Sequence, residues 1–260
     1  MLRVKRLYKK EEGYRTVLFH AEAALSCVIP SLMPRVPVYI LSDVQYTELF
    51  PNFSMKDDTP TEILGCYVHD FVPPTTLHNF KSDDLPCVKC NSIFLCEERI
   101  EKIAGKNELG LLMSKVLIHE FGHAYMDLFE PIGFTYADPI YKQNEESWAN
   151  VFTLSVIQSN LSKIGPYIKG GTDVFFNKVK DFISKQPVEY ALGGFLWECG
   201  IQEYDYWAYN KDNKAIWDGW LSFAMAEFTP YIRSSSPIPD TVKSKMLIEW
   251  QQIKKKLIEH

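Results

Sequence analysis

His119-Glu120-Phe121-Gly122-His123, inside the apolar stretch Lys115 to Tyr125, sets two imidazoles four residues apart with a carboxylate beside the first. In an α-helix, residues four apart share a face, so both rings can reach one ion while Glu120 stands next to it. Neutral imidazoles suit zinc, and a zinc with an open coordination position lowers the pKa of a bound water toward neutrality. A neighbouring carboxylate can accept that water's proton. The pattern is therefore a metal site with a general base attached; the plainer alternative is two ordinary helix histidines.

A catalytic zinc takes three protein ligands and one water, so the chain beyond His123 must supply one more. The metzincin arrangement places a third histidine ten residues after the first, where this chain has Phe129. Asp138, in Gly133-Phe134-Thr135-Tyr136-Ala137-Asp138-Pro139, is loosely similar to the aspartate ligand of aspzincins, with the spacing off by one and no final glycine. Glu146 fits better. In Glu146-Ser147-Trp148-Ala149-Asn150-Val151-Phe152 the chain resembles the gluzincin metallopeptidases, in which a glutamate on a second helix completes the site. The resemblance implies Glu146 as the third ligand and Asn150, one turn on, as the acceptor that fixes the far ring nitrogen of His119.

The same string looks like the third-ligand segment of ImmA/IrrE-type regulator-cleaving peptidases, with Trp148 where those usually carry a second glutamate. Glu145 is the adjacent rival, whose other role is a favourable charge at a helix N-terminus capped by Asn144. The implied cofactor is one Zn²⁺ per chain, and the implied substrate is a protein or peptide.

The elements that must position these residues follow from periodicity and punctuation. Asn107 can cap a helix in which Leu112, Val116, His119, His123 and Met126 fall near one stripe, and Pro131 with Gly133 ends it. A second helix is expected from Asn144 to about Ser162. Upstream, a short basic strand or arm, a helix through Val17 to Leu32, and strands at Val36–Leu41, Glu62–His69 and Asn91–Cys96 are expected. Zincins bind extended substrate on an edge strand before the active-site helix, and the resemblance assigns that role to Ile93, Phe94 and Leu95, with Glu97 to Ile100 as the exit. Downstream, aromatics including Trp217 and Trp220 read as core, and Met246, Trp250, Ile253 and Leu257 form one face of a helix opening at Asp240. The expected fold is α+β and zincin-like: one domain, with a small mixed sheet and the active-site helix in residues 1–130 and a mainly helical part in 131–260.

Composition sets outer limits. At 260 residues the chain can bury a core without staples. A net charge of -5 and a pI near 5.7 give no footprint for nucleic acid. No apolar run is long enough to span a membrane, no secretory signal is evident, and a cytoplasmic protein is expected. Cys27, Cys66, Cys96 and Cys199 read as small buried hydrophobes, whereas Cys87 and Cys90 could be half of a second metal site or an unrelated loop pair. The function these readings support is a zinc-dependent metallopeptidase with Glu120 as base. The alternatives are a zinc-bearing regulatory or structural module with latent or lost activity, and a metal-free binding protein.

Overall fold

The computed structural model describes residues 3–6, 36–51, 63–81, 83–86, 88–105, 108–127, 139–159, 172–202, 213–234 and 236–259. The helix expected over Val17–Leu32, together with Cys27, Cys87, the expected cap Asn107, the expected stop at Pro131 and Gly133, and Asp138, lies outside them. Contacts divide the chain into two compact units, Met1–Ala124 with Asn160–Phe175, and Tyr125–Ser159 with Phe176–His260. The first boundary falls inside a helix, six residues before the division expected at 130/131.

The first unit holds a four-stranded mixed sheet. Strands β1 (Arg3–Arg6), β2 (Pro37–Leu41) and β4 (Cys90–Cys96) run parallel, and β3 (Gly65–Phe71) pairs antiparallel with β4, giving the order β1-β2-β4-β3. The edge assigned to Ile93, Phe94 and Leu95 is therefore corrected. These residues sit in an interior strand, paired on both sides and 0% exposed. Their unbroken apolar run is what a strand buried on both faces requires. The edge strands of the described sheet are β1 and β3, and on β3, next to β4, Tyr67, His69 and Asp70 are more exposed.

Two short helices follow strands β2 and β4. Helix α1 (Asp43–Leu49) starts in a capping box between Ser42 and Gln45. Helix α2 (Glu97–Ala104) begins directly after β4, so Glu97 to Ile100 form its first turn rather than a strand exit. The buried Arg99 ties the two together by donating to Asp43, to Thr47 Oγ1 and to the Ile63 carbonyl, with its guanidinium 5.0 Å from the Tyr46 ring centre. One sheet face packs Tyr39, Phe94, Leu41 and Cys96 against Tyr46 and Leu49 of α1.

Helix α3 (Leu109–Met126) carries the two histidines. The sequence suggests one inward stripe, yet every residue from Leu112 to Met126 is buried. A helix apolar nearly all round belongs in an interior, which explains why the stripe is not its only hidden face.

The second unit is helical: α4 (Pro139–Ser159), α5 (Thr172–Ser184, whose first turn belongs to the first unit), α6 (Val188–Glu198), α7 (Lys214–Phe228) with a 3₁₀ turn at Thr229–Tyr231, and α8 (Asp240–Glu259). Helix α4 starts five residues before Asn144. Proline is well tolerated at a first helical position, since its missing N–H has no partner there, and Pro139 supplies that start. The core of this unit is a tryptophan cluster. Trp148 of α4 lies 4.8 Å from Trp250 of α8 between ring centres, and Trp217 and Trp220 of α7 lie 6.3 and 5.2 Å from Trp250. Met246, Trp250 and Leu257 of α8 are buried as its apolar spacing predicts, and Ile253 is half-buried. Trp148 thus fills a core position, which gives a packing reason for an indole where a carboxylate could have stood.

No helix among the described residues is long and apolar enough to cross a membrane. The α+β class expected from sequence is what the molecule shows.

Candidate metal centre

Helix α3 presents His119 and His123 one turn apart, and their Nε2 atoms lie 3.2 Å from each other with the rings nearly perpendicular at 84°. Two ring nitrogens aimed at one point repel through their lone pairs unless a proton or a cation lies between them. Two nitrogen ligands about 2.1 Å from a tetrahedral ion stand about 3.4 Å apart, so the observed spacing suits a shared metal.

Glu146 of α4 completes the group. A nitrogen from each of His119 and His123 and one carboxylate oxygen of Glu146 all lie within 4.8 Å of one another, and all three residues are buried. Such a group could hold a metal ion. Glu145 belongs to no such group among the described residues. Its proposed place at a helix N-terminus is also corrected, because the helix starts at Pro139 and both Asn144 and Glu145 are buried inside it.

Helix α4 is held in place just after Glu146. Ser147 Oγ donates to the carbonyls of Gln143 and Glu189, and Asn150 Nδ2 donates to the carbonyl of Tyr190, 3.1 Å away. These bonds anchor α4 to the first turn of α6. Gly193 allows the approach, since a methyl on it would come within 2.2 Å of the Ser147 carbonyl oxygen and 2.8 Å of Asn150 Cβ. Asn150 is fully buried with its amide tied to α6. Ser147 and Gly193 escape a search for ligands; the signal available was the Gly193-Gly194 pair inside an apolar helical pattern, which marks close helix packing.

Glu120 is placed by β3. The Tyr67 backbone N–H donates to Glu120 Oε2 over 2.9 Å, fixing one carboxylate oxygen at the strand edge. Nearby, burial pushes the Cys66 thiol well above its ordinary range, and the negative charge of Glu120 adds to the shift. Burial likewise pushes Cys96 and Cys199 up to about 12. A thiol held neutral is neither a good nucleophile nor a metal ligand, so these three cysteines act as the small apolar groups expected. Cys90 is half-buried, with its Sγ 3.4 Å from Ser92 Oγ.

The fold and site thus define an α+β protein with a buried two-histidine, one-glutamate group able to take a metal. No family model matches the chain, and no curated protein or solved structure matches it either.

Proposed function

We propose that this protein is a zinc-dependent metallopeptidase. The observation that supports the reading best is the convergence of His119, His123 and Glu146 on one buried point, with a carboxylate on the same helix that is not needed as a ligand. Zinc is the ion proposed because the two histidines and Glu120 stand in an H-E-x-x-H string on one helix, the spacing associated with zinc sites that carry a general base. A zinc ion held there supplies a Lewis acid that acidifies water and polarises a carbonyl.

The chain's own residues provide the rest. Glu120 takes a proton from the attacking water as its oxygen bonds to the peptide carbonyl carbon. The same carboxyl passes that proton to the departing nitrogen as the C–N bond breaks, which leaves Glu120 ionised for the next turnover. Asn150, beside Glu146 on α4, is suited to fix the tautomer of a ligand imidazole. The strand that receives an extended substrate is β3, since of the two edge strands it is the one whose backbone bonds to Glu120. A purely structural zinc site would fill its fourth position with protein and would have no use for Glu120, which argues against the inactive-module reading.

Incubating zinc-loaded protein with a randomised peptide library, read by mass spectrometry, tests the proposal. Cleavage is expected, suppressed by 1,10-phenanthroline and restored by added zinc. Cleavage that persists in the chelator, or none with one zinc bound, would overturn it.

A further inference from the structure

The β3 edge holds more information than its openness. In an antiparallel pair, residues alternate between those that bond across the ladder and those whose N–H and C=O face away. The Cys96 N–H donates to the Leu64 carbonyl, and the register pairs Cys66 with Phe94 and Val68 with Ser92. Counting in twos from Leu64, Cys66 and Val68 bond to β4, whereas Gly65 and Tyr67 turn their backbone groups to the outer edge. Among those outward groups the Tyr67 N–H is taken by Glu120.

Gly65 makes this reach possible. A methyl on it would meet Val116 Cγ1 at 2.8 Å and Leu95 Cδ2 at 2.9 Å, so a side chain there would displace its neighbours or push β3 away from α3. Glu120 follows Val116 by one helical turn and therefore emerges at the strand two residues further along, beside Tyr67. The regular edge is short. A bulge between Val68 and Phe71, with Asp70 at a φ of 53°, ends the even pairing just beyond Tyr67.

A peptide that adds to this short edge can pair with the outward backbone groups of Gly65 but cannot use the Tyr67 N–H. The one substrate carbonyl that would have accepted from that N–H is left without a strand partner. That carbonyl is not held by the ladder, so its carbon lies open to attack by the water from which Glu120 takes a proton. We infer that Tyr67 is a positioning residue, whose backbone N–H both anchors Glu120 and sets the substrate register so that cleavage falls at the carbonyl opposite it. The inference rests on the peptidase reading above. With Oε2 anchored, the second oxygen of Glu120 is the one directed to proton transfer.

Proline removes the N–H alone and is tolerated where an edge-strand N–H faces outward, so Tyr67→Pro is the direct test, with Tyr67→Phe and Tyr67→Ala as variants that keep the donor. Using a peptide cut by the wild type, zinc-loaded Tyr67→Pro is expected to lose kcat on the order of a hundredfold, the usual scale for a misplaced catalytic group, while KM stays within about threefold. Tyr67→Phe should retain kcat within about threefold. A Tyr67→Pro enzyme with wild-type kcat would overturn this inference and leave the peptidase reading standing. A zinc-loaded wild type that cuts no peptide would overturn that reading and this inference with it.

Hydrogen exchange gives an arm that does not depend on the proline variant folding. The Tyr67 amide should exchange slowly in the wild type and at least about tenfold faster in Glu120→Ala, because the Glu120 carboxylate accepts from its outward N–H. Equal exchange in both proteins would overturn the inference.

Discussion

Replacing Glu120 with glutamine is expected to lower kcat for peptide hydrolysis by about 10² to 10⁴, the range in which a positioned general base contributes, without changing metal content. Glutamine has the same shape, and its side-chain carbonyl can still accept from the Tyr67 N–H, so the strand contact seen for Glu120 survives. It cannot take a proton from water. Glu120 also stands outside the group formed by His119, His123 and Glu146, so the ion loses no ligand. Steady-state kinetics on zinc-loaded protein, with elemental analysis of the same sample, checks both halves. A kcat within tenfold of wild type would mean that another residue is the base.

Removing the third ligand has a different signature. Four-ligand zinc sites bind with about 10 to 16 kcal/mol, so one ligand of four accounts for about 3 to 4 kcal/mol, or two to three orders of magnitude in affinity. Glu146→Ala should show that loss in competition with a chromophoric chelator. Glu145→Ala should stay within about tenfold of wild type, because Glu145 is buried on the same helix but lies outside the ligand group. The pair of variants separates loss of a ligand from loss of one buried charge. Far-UV circular dichroism of both guards against unfolding. Equal losses in the two would show that net charge, not coordination, controls binding.

What the sequence made legible was periodic or fixed in spacing. Two histidines four apart on a long apolar helix specify their own convergence, and a glutamate followed four residues later by an asparagine specifies a second helix face. The apolar face of α8 and the strand cores could be read for the same reason. Strand order could not, because Ile93 to Leu95 show only that β4 is buried on both faces, and pairing partners are chosen by tertiary contacts. The contrast with the half-polar β3 was present in the sequence and points to the true edge once the two strands are compared. The early start of α4 was hidden because Pro139 reads as a loop residue as readily as a first helical one. The contact from Tyr67 to Glu120 is made by a backbone N–H, which leaves no mark in residue type; its trace is Gly65, a glycine inside a strand pattern where close approach is required.

Peptide hydrolysis as proposed requires a metal bound by His119, His123 and Glu146, and the metal content of the wild-type protein tests that requirement most directly. Elemental mass spectrometry of protein purified without added metal, then offered zinc and desalted, is expected to find one zinc per chain. Protein that holds no metal after zinc is offered would contradict the account and leave the buried histidines and glutamate as a structural cluster.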